Sequence, residues 1–415
     1  MTTARPVPGA SDARPARPVR RASGVTAAGS AFSPPEYPYD RLADAKRLAA
    51  VHDGGVVDMS VGTPGDPPPP EVVAALGLPG DPDGAARGYP TSAGSTELRS
   101  AICGWTSRRF GVSLPEDAVA VCVGTKELVA TTPQWLKLRS PERDTVLYPA
   151  LSYPTYSMGA LLAGLRPLAV PASEDGGMDL SSVGEEDASR ALMVWVNSPG
   201  NPAGNVEDLD AVAAWGRSRG VPVFSDECYA EFTWDGPPRT VLDGGPDGVV
   251  AVHSLSKRSN MAGLRVGWYA GDPDIVSYLR EVRKHAGLMV PGPVQRAAVA
   301  ALADQRHVDD QRARYQARLA RVRSLLAAIG VDAPAPAGGF YLWAAIPGGD
   351  EWAWTSWFAE KGGALVSPGS FYGPAGAGHV RVAVVVGEER IDLVASRLGV
   401  DLGPPPAFGS PPALG

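Results

Sequence analysis

One lysine of this chain stands in a setting suited to covalent chemistry. Lys257 follows an apolar run at residues 249–253 that is typical of a buried strand, and Arg265 comes later in the same glycine-containing loop. An amine at the carboxyl end of a strand is partly removed from water, which favours its neutral form and allows it to form a Schiff base. The guanidinium of Arg265 and the hydroxyls of Ser254 and Ser256 could bind an anion beside it. Taken alone, the same pattern favours a solvated surface loop.

Three other segments place polar residues where apolar runs end. They are the turn 197–204 with Asn201, the pair Asp226 and Tyr229 after the run 221–225, and Gly124, Thr125 and Lys126 after the run 118–123. The N–H groups and the dipole at a helix start favour phosphate, so the third segment is a candidate anion site. Each segment also has a structural interpretation, as a tight turn, a helix cap or an ordinary helix start.

Short apolar runs alternate with helical patterns between residues 118 and 253. The predicted strands are 118–123, 145–148, 191–196, 221–225 and 249–253, and a helix is predicted from residue 124 to 136. This alternation predicts a mostly parallel sheet that is covered by helices. Further predicted elements are a helix at 39–51, one long helix at about 294–329 and a strand at 380–385. The sheet would bring the candidate residues together at the carboxyl ends of its strands.

Composition narrows the classes of function. The chain has 415 residues and a formal net charge of −7, so nucleic acid and anionic membranes are poor candidate partners. Its three cysteines lack the spacing of metal ligands, which predicts a reduced, cytoplasmic protein without a metal site. No apolar run approaches the roughly 18 residues of a membrane span.

Together, in this order and spacing, the four segments resemble the class I and II aminotransferases, which are pyridoxal 5′-phosphate (PLP) enzymes of fold type I. The resemblance extends from about residue 34 to 398. It implies an α/β fold with a large domain, whose mostly parallel seven-stranded sheet is covered by helices, and a smaller α+β domain. We expect a tail at 1–33, a segment joining the small domain at 34–60, the large domain at 61–290, the interdomain helix and small domain at 291–400, and a second tail at 401–415.

The resemblance also implies roles for single residues. Lys257 would bind PLP covalently and move the proton of the reaction, Asp226 would pair with the pyridine nitrogen, and Tyr229 and Asn201 would contact the ring's phenolic oxygen. The phosphate would be held by Gly124, Thr125, Lys126, Ser254, Ser256 and Arg265. Tyr153, with Tyr156 as the second choice, would stack on the ring.

Substrate and assembly are implied in the same way. Arg381 would bind the substrate α-carboxylate as a bidentate pair, together with Asn201, and Gly62 would lie close to the substrate. Tyr89 would reach the phosphate of a neighbouring subunit, which implies a homodimer with shared sites. Arg381 could instead be an ordinary strand arginine.

Within the family, segments 226–232, 252–260, 283–291 and 371–376 are most similar to actinobacterial N-succinyl-LL-2,6-diaminopimelate aminotransferases, whose partner substrates are glutamate and 2-oxoglutarate. This substrate is acidic at its distal end, so Arg258, Lys284 and His285 are hypotheses for a second cationic contact. Ala203 departs from the usual threonine, and Pro- and Arg-rich extensions flank the core, which leaves open a paralogue with another substrate. The same scaffold also hosts PLP lyases, which the sequence near Lys257 leaves open. It hosts effector-binding modules of transcription regulators as well, but residues 1–33 are too short and too rich in proline for the helix-turn-helix that such a module would add.

Overall fold

The structure is a computed structural model that describes residues 32–77, 87–174 and 176–403. From Pro38 onward the chain forms one compact unit, while residues 32–37 adopt no regular secondary structure. Most of both predicted tails lies outside the described residues. The division of the compact unit into a large and a small domain stays a prediction.

The described strands are short. In chain order they are β1 (Val57–Asp58), β2 (Val119–Cys122), β3 (Thr145–Pro149), β4 (Arg166–Val170), β5 (Ala191–Asn197), β6 (Val223–Asp226), β7 (Val249–Ser254), β8 (Gly267–Gly271), β9 (Tyr341–Ala345), β10 (Ala364–Leu365), β11 (Ser367–Pro368) and β12 (His379–Ala383).

The described α-helices separate most of these strands. In chain order they are α1 (Ala43–Ala49), α2 (Pro70–Leu76), α3 (Thr96–Phe110), α4 (Thr125–Arg139), α5 (Thr155–Leu162), α6 (Glu185–Arg190), α7 (Leu209–Arg219), α8 (Leu255–Arg258), α9 (Pro273–His285), α10 (Gly292–Ala303), α11 (Arg306–Ala328), α12 (Glu351–Gly362) and α13 (Glu388–Arg397).

Several helices begin at an aspartate whose side chain satisfies backbone N–H groups that have no partner inside the helix. Asp208 accepts a hydrogen bond from Ala211 N at the start of α7, and Asp350 accepts one from Ala353 N at the start of α12. Such caps stabilise a helix by about 1 kcal/mol each. They therefore help to set where the chain leaves each strand or loop and enters the next helix.

The central sheet has seven strands in the order β2-β8-β7-β6-β5-β3-β4. Its neighbours are parallel except for β8, which runs antiparallel to both β2 and β7. Both faces are buried against helices, as the apolar strand sequences require. The predicted α/β class and the mostly parallel, seven-stranded sheet are confirmed.

Two strands of this sheet have no counterpart among the predicted strands. The strand β4 contains Pro167, which is tolerated because β4 lies at the edge of the sheet. The strand β8 begins and ends with glycine and pairs with β2, which lies far away in sequence. Neither segment is recognisable as a strand from its own residues, because its strand conformation depends on the neighbouring strands.

The single long helix predicted at 294–329 is wrong, because the chain breaks it into α10 and α11. Asp304 has extended backbone angles, φ −108° and ψ 129°, that end α10. Its carboxylate then accepts hydrogen bonds from the backbone N–H groups of Arg306 and His307, at 3.2 Å each. Asp304 thus starts a new helix inside an otherwise continuous helical pattern.

A second core lies under a three-stranded antiparallel sheet of order β11-β12-β9. Its buried side chains include Tyr315 from α11, Phe340 and Tyr341 at the start of β9, and Phe358 from α12. The strand β1 pairs in parallel with β10, which joins the N-terminal segment to this part of the chain. Within the described ranges, no helix is long and apolar enough to cross a membrane.

Candidate active site

The candidate residues meet at the edge of the central sheet where the parallel strands end. Strand β5 ends at Asn197, β6 at Asp226 and β7 at Ser254, and Asn197 is paired in register with Asp226. The loops that leave these ends carry the remaining polar groups, as in other open α/β sheets.

Asp226 lies buried at the centre of this edge. Its carboxylate accepts hydrogen bonds from Tyr156 Oη at 2.9 Å and from Cys228 N at 3.2 Å. Loss of hydration raises the pKa of Asp226, and these two donors oppose that rise. The side chain is therefore held in one orientation, with a carboxylate that a cationic ring nitrogen would stabilise.

Tyr153 and Tyr156, the two candidates for the ring-stacking role, differ in how deeply they are buried. Tyr156 is 1% exposed, stacks on Trp195 and donates to Asp226, so it lies behind the carboxylate. Tyr153 is half-buried, with its ring edge-on to Tyr156 at 6.2 Å between centroids. This arrangement favours Tyr153 as the aromatic that is free to cover a ring above Asp226. The stacking role of Tyr153 remains a prediction.

Asn197 orients the turn that carries Asn201. Its side-chain amide donates to Asp226 O at 2.8 Å, and its Oδ1 accepts from Asn201 N at 2.8 Å. Asn201 is itself buried and accepts from Arg381 Nη1 at 2.8 Å. No role was assigned to Asn197 from sequence, although an asparagine that ends a buried strand is a signal for such a backbone contact.

Lys257 lies in the single turn of α8, which Ser254 caps by accepting from Ser256 N at 3.0 Å. Its Nζ donates to Gly62 O and lies 5.8 Å from the centre of the Phe340 ring. Loss of hydration is the largest cause that lowers the pKa of Lys257 to about 8, and the positive charges of Arg381 and Arg265 contribute. The amine is thus neutral in a much larger fraction of molecules than an ordinary lysine.

This pKa predicts the pH dependence of covalent PLP attachment. Only the neutral amine attacks a carbonyl, so the rate should rise about tenfold per pH unit below pH 8 and level off above it. The rate is measured by mixing apoprotein with PLP between pH 6 and pH 10, trapping with borohydride and determining mass. A rate that keeps rising to pH 10 would mean that Lys257 has an ordinary pKa, and Lys257→Ala provides the blank.

A cradle for an anion lies at the start of α4. Gly124 has φ +76°, and a Cβ there would come within 2.1 Å of Arg265 Nη2, so only glycine lets the guanidinium approach the helix end. Arg265 also has a positive φ of 53° and donates from Nη1 to Ala262 O at 2.9 Å. Thr125 Oγ1 lies 3.4 Å from Cys228 Sγ, which places this helix end beside Asp226.

Arg381 is fully buried on β12 and has no carboxylate partner among the described residues. It donates to Asn201 Oδ1, to Ser60 O and, at 3.3 Å, to Tyr39 Oη. Its guanidinium carbon lies 4.1 Å from the centre of the Tyr341 ring and 4.9 Å from that of Tyr372. A buried guanidinium that is surrounded by neutral groups is a strong site for an anion.

Two tyrosines close the site on the side of Arg381. Tyr229 Oη and Tyr341 Oη are 2.8 Å apart, and both side chains are buried. A Cβ at Gly62 would lie 1.9 Å from Tyr341 Oη, so the backbone at Gly62 passes directly over this pair. Ser60 O contacts Arg381 and Gly62 O contacts Lys257, so one backbone segment connects the anion site to the amine.

Four other predicted residues have exposed side chains. Tyr89 is 96% exposed, as a residue that acts on another subunit would be. Lys284 is exposed and lies 3.8 Å from Glu281, and His285 is exposed at the end of α9. Lys126 is exposed, with Nζ 5.9 Å from the centre of the Tyr153 ring.

The hypothesis that Arg258 binds substrate is not supported, because its side chain is buried in a structural network. It forms an ion pair with Glu231 at 3.2 Å and donates to Ala301 O at 2.7 Å. Arg109 pairs with the same carboxylate at 2.7 Å. Although burial opposes ionisation, Arg258 and Arg109 hold the pKa of Glu231 below its ordinary value.

We therefore expect Arg258→Met to destabilise the protein without changing the KM for acidic substrates. Breaking one side of a buried ion pair costs about 3–5 kcal/mol, because the remaining charge stays buried. Urea denaturation would measure this loss, and Arg306→Ala, whose side chain is 91% exposed, is the control. A raised KM at unchanged stability would restore the substrate-binding hypothesis.

The residues at this centre fit PLP. The glycine-lined start of α4 with Arg265 suits the phosphate, the buried Asp226 suits the pyridine nitrogen, and Lys257 supplies an amine with a lowered pKa. Tyr229, which contacts Tyr341, and Asn201, which contacts Arg381, would supply donors to the ring's phenolic oxygen.

Curated proteins of similar sequence are aminotransferases. A probable aminotransferase of Mycobacterium tuberculosis is 45% identical over an alignment of 381 positions, and the match covers 89% of this chain and 86% of that protein. The 4-dedimethylamino-4-oxo-anhydrotetracycline transaminase OxyQ of Streptomyces rimosus is 42% identical and covers 88% of this chain and 99% of its own. An LL-diaminopimelate aminotransferase of Dehalococcoides mccartyi is 31% identical over 87% of this chain and 95% of its own.

Two solved aminotransferase structures have a similar fold. An aminotransferase of Neisseria meningitidis superposes with a TM-score of 0.79 at 30% identity, covering 88% of this chain and 97% of its own. A probable N-succinyldiaminopimelate aminotransferase of Thermus thermophilus gives 0.78 at 28% identity, covering 87% and 98%. The family model for aminotransferase class I and II matches residues 54–398. Because this match spans the sheet, the lysine segment and β12, the chain belongs to the class I and II aminotransferases.

Proposed function

We propose that this PLP-dependent aminotransferase exchanges an amino group between N-succinyl-LL-2,6-diaminopimelate and the glutamate/2-oxoglutarate pair, in diaminopimelate and lysine synthesis. Relatives named for LL-diaminopimelate and a solved structure named for N-succinyldiaminopimelate support this substrate class. The observation that carries the transaminase role is Arg381, which is buried without a carboxylate partner among the residues described, next to the segment that contacts Lys257.

Arg381 would bind the α-carboxylate of the amino acid through its guanidinium. Asn201 Oδ1 fixes one edge of that group at 2.8 Å, which orients the remaining N–H donors. The aromatic faces of Tyr341 and Tyr372 keep water away from the pair. The ion pair is correspondingly stronger than one at the surface, and it sets the direction of the substrate Cα.

Bound PLP supplies the carbonyl that receives the amino group and the ring that accepts electrons from the substrate Cα. Asp226 would hold a proton on the ring nitrogen, because its buried carboxylate is stabilised by a cation beside it. Lys257 Nζ would accept the proton from Cα and deliver it to the cofactor carbon that carried the carbonyl, which its pKa of about 8 permits near neutral pH. Tyr229 Oη would donate to the ring oxygen.

The assembly and compartment form part of the same proposal. The side chain of Tyr89 is almost wholly exposed, which supports a homodimer in which it completes the phosphate site of the other subunit. We propose a cytoplasmic location because Cys103, Cys122 and Cys228 are all free. Sedimentation analysis of wild type and Tyr89→Ala, with PLP affinity measured on both, tests the shared site.

A second candidate is the amination of a polycyclic ketone. The 42% identity to OxyQ over nearly all of that protein favours it, as does the aromatic cluster of Tyr39, Trp343, Trp352 and Phe371 near Arg381. Such a substrate would be bound through ring contacts, with Arg381 on an acidic oxygen.

The absorbance spectrum of the purified holoprotein tests these proposals. Glutamate and N-succinyl-LL-2,6-diaminopimelate should each change the spectrum of bound PLP, and 2-oxoglutarate should reverse the change. A response to glutamate alone would keep the aminotransferase and reject the diaminopimelate substrate. Keto-acid release without an added acceptor would instead indicate a lyase.

A further inference from the structure

One exposed arginine lies on an aromatic surface close to Arg381. Arg41 belongs to the 3₁₀ turn Pro38–Leu42, and its guanidinium carbon lies 4.4 Å from the centre of the Trp352 ring and 5.7 Å from that of Phe371. In the part of the chain that the structure describes, Arg41 has no ion pair and no hydrogen bond. We call Arg41, Trp352 and Phe371 the Arg41 shelf.

The Arg41 shelf is continuous with the carboxylate site. Tyr39, on the same turn, accepts from Arg381 Nη2 at 3.3 Å and lies 3.4 Å from Tyr372 Oη. The Tyr39 ring packs edge-on against Phe371 at 5.5 Å. Phe371 and Tyr372 are neighbours in sequence, so adjacent residues contact the two guanidinium groups.

The chemistry of the Arg41 shelf suits a second carboxylate. An exposed cation–π contact contributes only about 0.5–1 kcal/mol, yet it holds the guanidinium plane and leaves its N–H edges open. A guanidinium held in this way can donate two parallel hydrogen bonds to a carboxylate. Arg258 and Lys284, two cations that the sequence suggested for this role, pair instead with Glu231 and Glu281.

We propose that Arg41 binds the distal carboxylate of an acidic amino-acid substrate whose α-carboxylate is bound by Arg381. The inference rests on the proposed function, since it assumes that the substrates are acidic. It goes beyond that proposal by assigning the recognition of the distal acid to the N-terminal segment of this chain.

The test compares ligands that differ only in the distal acid. Glutarate with valerate, and suberate with octanoate, are titrated into the PLP-bound protein by calorimetry, so no turnover is needed. Arg41→Ala should weaken diacid binding about 10- to 100-fold in at least one pair and change monoacid binding less than twofold. Arg41→Lys should recover part of the loss. The matched control is Arg47→Ala, since the Arg47 side chain is 78% exposed and pairs with Asp44.

Each result bears on the role of Arg41, on the acidic substrate, or on both. If wild type prefers diacids and Arg41→Ala keeps that preference, the role of Arg41 is overturned while the acidic substrate stands. If wild type itself shows no preference for diacids in either pair, both the acidic substrate and the role of Arg41 are rejected. An equal loss for monoacids and diacids would also overturn the inference, because it would show that Arg41 acts only by holding Tyr39 in place.

Discussion

Replacing Lys257 with alanine is expected to lower the rate of transamination by about 10⁴-fold or more, because in its proposed role the lysine amine would both attach PLP and move the proton. The fold should persist, since among the described residues the only hydrogen bond of the Lys257 side chain is to Gly62 O. The measurement is kcat with glutamate and 2-oxoglutarate, together with a thermal melt by circular dichroism.

Lys361→Ala is the matched control for this experiment. Its side chain is 55% exposed and, among the residues that the structure describes, pairs only with the neighbouring Glu360, so neither kcat nor the melting temperature should change appreciably. A Lys257→Ala protein that kept a comparable rate would overturn the assignment of the catalytic amine. A loss of both activity and melting temperature would require Lys257→Gln or Lys257→Met to separate the two effects.

Replacing Arg381 with alanine is expected to lower kcat/KM by roughly 10²–10⁴-fold, because the substrate carboxylate would lose a buried bidentate partner. Most of the loss should appear in KM, since in its proposed role Arg381 would bind the substrate before and during the reaction alike. Arg381→Lys keeps the charge but lacks the planar fork that Asn201 and Ser60 O orient. It should therefore recover only part of the affinity.

PLP binding by the substrate-free protein checks the prediction for Arg381→Ala. PLP binding should be nearly unchanged in Arg381→Ala, because the phosphate site at Gly124 and Arg265 lies elsewhere. If PLP affinity and KM fell together, Arg381 would be supporting the cofactor site and not the substrate. An unchanged KM would leave its burial without a functional explanation and would return it to an ordinary strand arginine.

The central sheet and the chemistry at its edge could be predicted from sequence because both depend on local patterns. The apolar runs that became β2, β3, β5, β6 and β7 are recognisable within a few residues. Parallel strands necessarily bring their carboxyl ends to one edge, so Asp226 and Lys257 could be placed together before any contact was known. The break between α10 and α11 was missed because Asp304 also suits a helix surface, and its capping role depends on its own backbone angles.

The environments of the individual charges were decided only by the tertiary structure. Arg258 and Arg41 both lie near apolar residues in sequence, yet the Arg258 side chain is buried and the Arg41 side chain is exposed. Arg258 pairs with the carboxylate of Glu231 and donates a hydrogen bond to Ala301 O, which are 27 and 43 residues away, and no local pattern encodes these contacts.

The different burial of Tyr153 and Tyr156 could not be predicted from sequence either. Tyr153 and Tyr156 differ by less than one helical turn in sequence, and only the packing of Tyr156 on Trp195 and its bond to Asp226 separate their depths. The amino-acid sequence alone thus determined the α/β class, the sheet edge at which the candidate groups meet and the types of group present there. Burial and pairing of those groups required the folded chain, because desolvation and charge balance are set by residues that are distant in sequence.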